Sequence, residues 1–195
     1  IIVATHNNMI ASRLNLNNVL WITEDGVKSL KGVKSDVAEF FVRADDNAFL
    51  QLLLSKKVIL VEGATEFLLL PMFYKQTTDH TIEEDGISVI SCNGISYKRY
   101  LEIAKATDKR IAVVTDNDEK SDRIAEVASF NQANDLQHIF MGATVDEWTW
   151  EACIYKENKD TLDGMIDVQA GAAYKFHDKD YGAVLGKMLN HKVDV

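Results

Sequence analysis

Four short apolar or β-branched runs constrain this chain more than any other feature. They are Val58-Ile59-Leu60-Val61, Ile87-Ser88-Val89-Ile90, Ile111-Ala112-Val113-Val114 and His138-Ile139-Phe140-Met141. Three are nearly continuous apolar runs, the pattern of parallel strands covered on both faces. Segments with helical spacing lie between them. Ala64 to Tyr74 follows the first run. Tyr97 to Ala106 follows the second, with Tyr97, Tyr100, Leu101 and Ala104 at i, i+3, i+4 and i+7. Ser121 to Gln132 follows the third, with Ile124, Val127 and Ala128 on one face. Strand–helix–strand alternation at this spacing predicts βαβ units, and therefore an α/β fold around an open parallel sheet. Such sheets bind ligands beyond the carboxyl ends of their strands.

The flanks read differently. Ile1 to Ala4 and Val19 to Ile22 are expected to be short strands separated by an Asn-rich stretch. Asp36 to Leu54 reads as helical, with a stripe of Val37, Phe40, Phe41, Ala44, Ala48 and Leu52, and Asp45-Asp46-Asn47 is a point where it could divide. The tail reads as two helices, Asp146 to Lys156 and Tyr181 to Asn190, joined by a Gly-bearing segment that the pattern does not assign.

A chain of 195 residues suggests one domain of ordinary size, or one domain with pieces of a neighbour. With 47% hydrophobic and 26% charged residues it is neither disordered nor low-complexity. No apolar run approaches the ~18 residues of a membrane span, so no membrane partner is expected. Ile1 to Val3 has no basic region before it and no cleavage site after it, so no signal peptide is expected. Cys92 and Cys153 are far apart and match no ligand spacing, which reads as a reduced, cytoplasmic setting. The chain opens on Ile1 without an initiator methionine, and we read it as a fragment of something longer. Its net charge of −9 argues, at first sight, against a nucleic-acid partner.

Chemistry is sought at the strand ends. Glu62 falls at the carboxyl end of the first strand, Gly63 permits a sharp turn or a close approach, and Glu66 lies in the first helical turn. The two carboxylates read either as convergent ligands or as a solvated strand end and a helix N-terminal charge. The third strand ends in Thr115-Asp116-Asn117-Asp118-Glu119. In extended backbone Asp116 and Asp118 point the same way. Like carboxylates that close call for a cation, and hard oxygen ligands suit Mg²⁺, Mn²⁺ or Ca²⁺. The competing reading is an Asx-rich turn that caps the next helix. The second strand ends in Cys92-Asn93-Gly94, a further glycine-bearing turn at the same edge.

Glu62-Gly63, Asn93-Gly94 and Asp116-Asn117-Asp118, in this order, resemble the toprim domain shared by topoisomerases, primases and several nucleases. The resemblance covers about Lys56 to Met141. The segment Val58 to Glu66 followed by Leu69-Leu70-Pro71 is similar to the first toprim motif of the OLD-family nucleases, which fuse an ABC-type ATPase to a toprim nuclease and include phage-defence proteins. The resemblance implies metal-dependent hydrolysis of DNA with two Mg²⁺ or Mn²⁺ ions, Ca²⁺ being a non-productive ligand. It implies metal binding by Glu62, Glu66, Asp116 and Asp118, support from the turns at Gly63 and Gly94, and catalysis through Glu62, Asp116 and Asp118. Trp148-Thr149-Trp150-Glu151 looks like the family's Thr-Leu-Glu motif with Trp for Leu, and so implies Thr149 and Glu151 as further metal ligands. Lys179-Asp180-Tyr181-Gly182-Ala183 is the best fit to a segment that carries a catalytic lysine, with Lys175 and Lys187 as rivals. Lys98 and Arg99 are candidate DNA contacts. Ile2 to Asn7 resembles the end of an ABC-type ATPase, with His6 as a nucleotide-sensing residue of the parent protein. No Gly-x-x-x-x-Gly-Lys-[Ser/Thr] loop occurs, so no complete ATP site is expected in these residues.

The expected organisation is an ATPase remnant over 1–35, a linking helical segment over 36–55, a toprim core over 56–145 and a helical nuclease extension over 146–195. Expected partners are DNA, the rest of the ATPase chain and further copies of the parent protein. Two other readings remain: a topoisomerase- or primase-like toprim protein, and a non-catalytic metal-binding regulatory or oligomerisation module.

Overall fold

The computed structural model describes residues 4, 18–23, 26–43, 48–92, 97–168, 174–177 and 179–190. The expected first strand, His6, the helix break at Asp45-Asp46-Asn47 and the Asn93-Gly94 turn lie outside the described residues.

A hairpin of β1 (Leu20–Thr23) and β2 (Gly26–Ser29) opens the described chain, its strands antiparallel. Helices α1 (Ser35–Arg43) and α2 (Ala48–Leu54) follow. The sheet is then laid down as β3 (Lys57–Val61), β4 (Ile87–Ser91), β5 (Arg110–Val114) and β6 (Gln137–Phe140). Its order is β4-β3-β5-β6 and every pairing is parallel. The crossovers carry α3 (Ala64–Thr78), α4 (Tyr97–Ala106) and α5 (Ser121–Gln132). This is the α/β architecture expected: a parallel sheet flanked by helices. Apolar side chains on consecutive positions of the central strand explain why it sits inside, since Leu60 and Val61 are both 0% exposed.

Helices α1 and α2 join the same core. Phe41 packs edge-on to Tyr100 of α4 with ring centroids 5.0 Å apart and lies 5.3 Å from Phe49 of α2. Pro71 lies inside α3, which continues past it to Thr78.

Two helices of the tail start later than their sequence pattern suggests. α6 (Trp150–Glu157) begins at Trp150 rather than Asp146, because Thr149 caps it, its hydroxyl oxygen accepting from the Ala152 N–H at 3.2 Å. α8 (Ala183–Asn190) begins at Ala183 rather than Tyr181, because Gly182 takes φ 84°, outside helical space. The unassigned segment between them contains α7 (Lys159–Met165) and a hairpin of β7 (Lys175–Phe176) and β8 (Lys179–Asp180). No helix among the described residues is long and apolar enough to cross a membrane.

Phe41 is fully buried and joins α1, α2 and α4. Phe41→Ala is therefore expected to cost ~3–5 kcal/mol through lost transfer energy and a residual cavity, read as a lower urea midpoint at unchanged slope.

Candidate functional site

Parallel register brings the sequence-predicted acids to one edge. Val61 pairs with Val114 and with Ser91, so Glu62 leaves the sheet between Thr115 on one side and Cys92 on the other. Glu62 Oε2 accepts from the Thr115 hydroxyl at 2.5 Å and from the Asp116 N–H at 3.2 Å. Asp116 Oδ1 accepts from the Trp150 N–H at 3.2 Å, at the first turn of α6. Glu66 is buried in the first turn of α3. A Cβ on Gly63 would stand 2.8 Å from Glu66 Oε2, so glycine here makes room for a carboxylate folding back over the helix start. Glu151 is buried in the first turn of α6, beside the Thr149 cap.

Asp116 and Asp118 do not point the same way, contrary to the extended-strand expectation. The reason is Asn117, which is completely buried. Its amide nitrogen lies within hydrogen-bonding reach of three carbonyl oxygens of the β6–α6 loop, those of Gly142, Thr144 and Glu147, at 2.8–3.1 Å. Its side-chain oxygen accepts from the Glu119 N–H at 2.9 Å, closing an Asx turn. Asp118 and Glu119 then take left-handed backbone, φ 55° and 60°. Asp118 is thrown outward against Arg123 of α5 and lies 3.5 Å from Lys120. The competing Asx-turn reading is thus present in the structure, although Lys120, the residue just before α5, gives that helix no side-chain cap.

Glu119 reaches the carboxyl-terminal hairpin. It pairs with Lys179 and accepts from the Tyr181 hydroxyl at 3.2 Å. Hydrogen bonding to the Lys179 ammonium holds the Glu119 carboxyl below the usual carboxylate range and raises Lys179 in turn. Trp148 packs against Tyr181 and Phe176, at 5.1 and 5.9 Å between ring centroids. Of the three candidate lysines, Lys179 is the one tied to the loop after β5. The Lys187 ammonium instead donates to the Asp167 carbonyl at 2.6 Å, and Lys175 is exposed on β7.

Lys98 is exposed on α4, 3.7 Å from Glu126, whereas Arg99 lies over the Phe40 ring at 4.7 Å and serves packing. Four residues of the site were not singled out from sequence: Thr115, Asn117, Glu119 and Arg123. Asn117 carries a detectable signal, an Asx residue between two acids at a strand end. Arg123 carries none, since its partners are set by the turn.

Among the described residues no three Asp, Glu, Cys or His side chains gather as a metal-binding group. The donor chemistry nevertheless suits a hard divalent cation at the paired β3 and β5 ends, where Glu62 and Asp116 are carboxylates anchored through neighbouring groups.

A parallel four-stranded sheet flanked by helices, with an acid-bearing edge at its central strands, is consistent with a toprim-type fold. Residues 53–118 match the family model described as "Overcoming lysogenization defect protein-like, TOPRIM domain". The matched segment carries Glu62, Glu66, Asp116 and Asp118. No curated protein and no solved structure matches the chain.

Two outcomes test this geometry. Asn117→Ala is expected to destabilise the chain by ~2–4 kcal/mol, because buried carbonyls lose their donor, and thermal or urea unfolding reads it. Burial, with the neighbouring Glu62 charge second, pushes the Cys92 thiol up to about 11. A raised thiol pKa means less thiolate at pH 8, so Cys92 should resist iodoacetamide there and label faster as pH rises toward that value, with mass spectrometry following each cysteine.

Proposed function

We propose that this chain is the nuclease region of an ATPase-linked OLD-type protein, hydrolysing DNA phosphodiester bonds with Mg²⁺ or Mn²⁺ in phage defence or DNA processing. The observation that carries the proposal is the pairing of Glu62 with the Thr115 hydroxyl and the Asp116 N–H at adjacent parallel strand ends, inside the family-matched segment. Glu62 and Asp116 would hold the cation. A divalent ion supplies an activated water and neutralises charge at the leaving oxygen. The chain's own contribution is orientation. Thr115 donates into Glu62, and the first turn of α6 donates into Asp116. Glu66 and Glu151 add buried carboxylates from the helices that start at this edge. Lys179 of β8 is a point charge for a phosphoryl group, held against the loop after β5 by Glu119. Lys98 is exposed for contact with a phosphate backbone, while Arg99 is committed to Phe40.

The tyrosines weigh against a topoisomerase-like reading. Tyr97 and Tyr100 are buried. Burial, followed by an acidic neighbour, raises Tyr155 beside Asp163 and Tyr181 beside Glu119, which suits neither as a nucleophile.

Plasmid nicking with Mg²⁺ or Mn²⁺ is the test. The chain is expected to nick, and Glu62→Ala and Asp116→Ala to lose activity by on the order of a hundredfold or more, beyond the 10–100-fold typical of outer-shell changes. Equal activity in all three proteins, or equal inertness with metal bound normally, would defeat the proposal.

A further inference from the structure

We propose that Arg123 is a positioning residue that serves the acidic edge as a built-in cation, holding Asp118 until a divalent ion competes for it. This rests on the metal-dependent reading above. The Arg123 side chain is only 14% exposed, although its partner Asp118 is 47% exposed. One guanidinium nitrogen bonds Asp118 Oδ2, and the other donates to Thr115 Oγ1 at 3.0 Å. A guanidinium can only donate, so the Thr115 hydroxyl must direct its own hydrogen elsewhere. It directs it to Glu62 Oε2, 2.5 Å away. A single side chain from α5 therefore pairs with the outer carboxylate, which Lys120 also approaches at 3.5 Å, and fixes the polarity of the bond that orients the central one.

The backbone supports the same reading. Asp118 reaches Arg123 from left-handed backbone, an uncommon conformation for a residue with a side chain, and the neighbouring buried Asn117 holds the turn. Asp118 and Arg123 also line a groove of about 720 Å³ between α4 and α5, so solvent ions have access to the pair. Asp116 and Glu62 do not line the groove and accept from α6 and β5, whereas the Asp118–Arg123 pair is open to it.

Mn²⁺ binding to the whole chain, followed by the loss of free-ion EPR signal, tests this without reference to nuclease activity. Arg123→Gln is expected to bind Mn²⁺ roughly two- to fivefold tighter, the range that loss of one part-exposed ion pair supports. Arg123→Lys, which keeps the charge, should stay near the parent affinity. In an Asp118→Asn background, Arg123→Gln should give no gain. A second measurement needs no variant to keep its fold: the Arg123 guanidinium NMR resonance of the parent chain should shift as Mg²⁺ is titrated to saturation. Equal or weaker Mn²⁺ binding in a folded Arg123→Gln protein, or a resonance unmoved at saturation, overturns the inference while leaving the nuclease reading intact. Failure of the parent chain to bind Mn²⁺ at all overturns both.

Discussion

Parallel pairing of β3 with β5 is the constraint on which the rest of this structure depends. It places residue 62 opposite residue 115, so that a carboxylate leaving one strand meets a hydroxyl and a backbone N–H leaving the next. A slip of one residue would turn these side chains to the other face of the sheet. The register is pinned by burial, because Val58, Leu60, Val61, Ile111 and Val113 are all in the interior. The apolar core thus fixes the relative position of Glu62 and Thr115, although neither contributes much to that core.

The second constraint is Asn117. A turn carrying two carboxylates and a third acid in succession has every electrostatic reason to spread into solvent. Burying one amide side chain against the 142–147 loop prevents that. It sends Asp116 toward α6, Asp118 toward α5 and Glu119 toward the β7–β8 hairpin. Three acidic positions around one asparagine thereby tie three separate elements to the sheet edge. The same loop requires glycine at 142, where a Cβ would stand 1.9 Å from the Glu147 carbonyl oxygen.

The sheet and its crossovers were legible because their signal is local and repeated. Tyr97–Ala106 and Ser121–Gln132 run as helices between the limits their periodicity sets, and each β-branched run became a strand with at most a residue's difference at either end. The position of Glu62 and Asp116 at the sheet edge followed from the same pattern. The direction of Asp118 did not, because extended-strand geometry ends where the Asx turn begins. The β7–β8 hairpin was illegible for a different reason. Its strands are two residues long, too short to show alternation, and Trp148 and Glu119 hold it in place from distant parts of the chain.

The net charge of −9 acquires a different meaning at this edge. Its acids are not an open field of negative charge, since Asp118 faces Arg123 and Lys120, and Glu119 faces Lys179. A half-exposed carboxylate paired with a cation presents little field beyond a Debye length of about 8 Å at physiological salt. Repulsion of a phosphate backbone at the sheet edge is then set largely by the inner carboxylates, Glu62, which accepts from the Thr115 hydroxyl and the Asp116 N–H, and Asp116, which accepts from the Trp150 N–H. On the proposed reading a divalent ion neutralises that remainder where the scissile phosphate would lie. The overall acidity therefore restrains non-specific adhesion to nucleic acid over the rest of the surface, while leaving engagement at the edge dependent on metal.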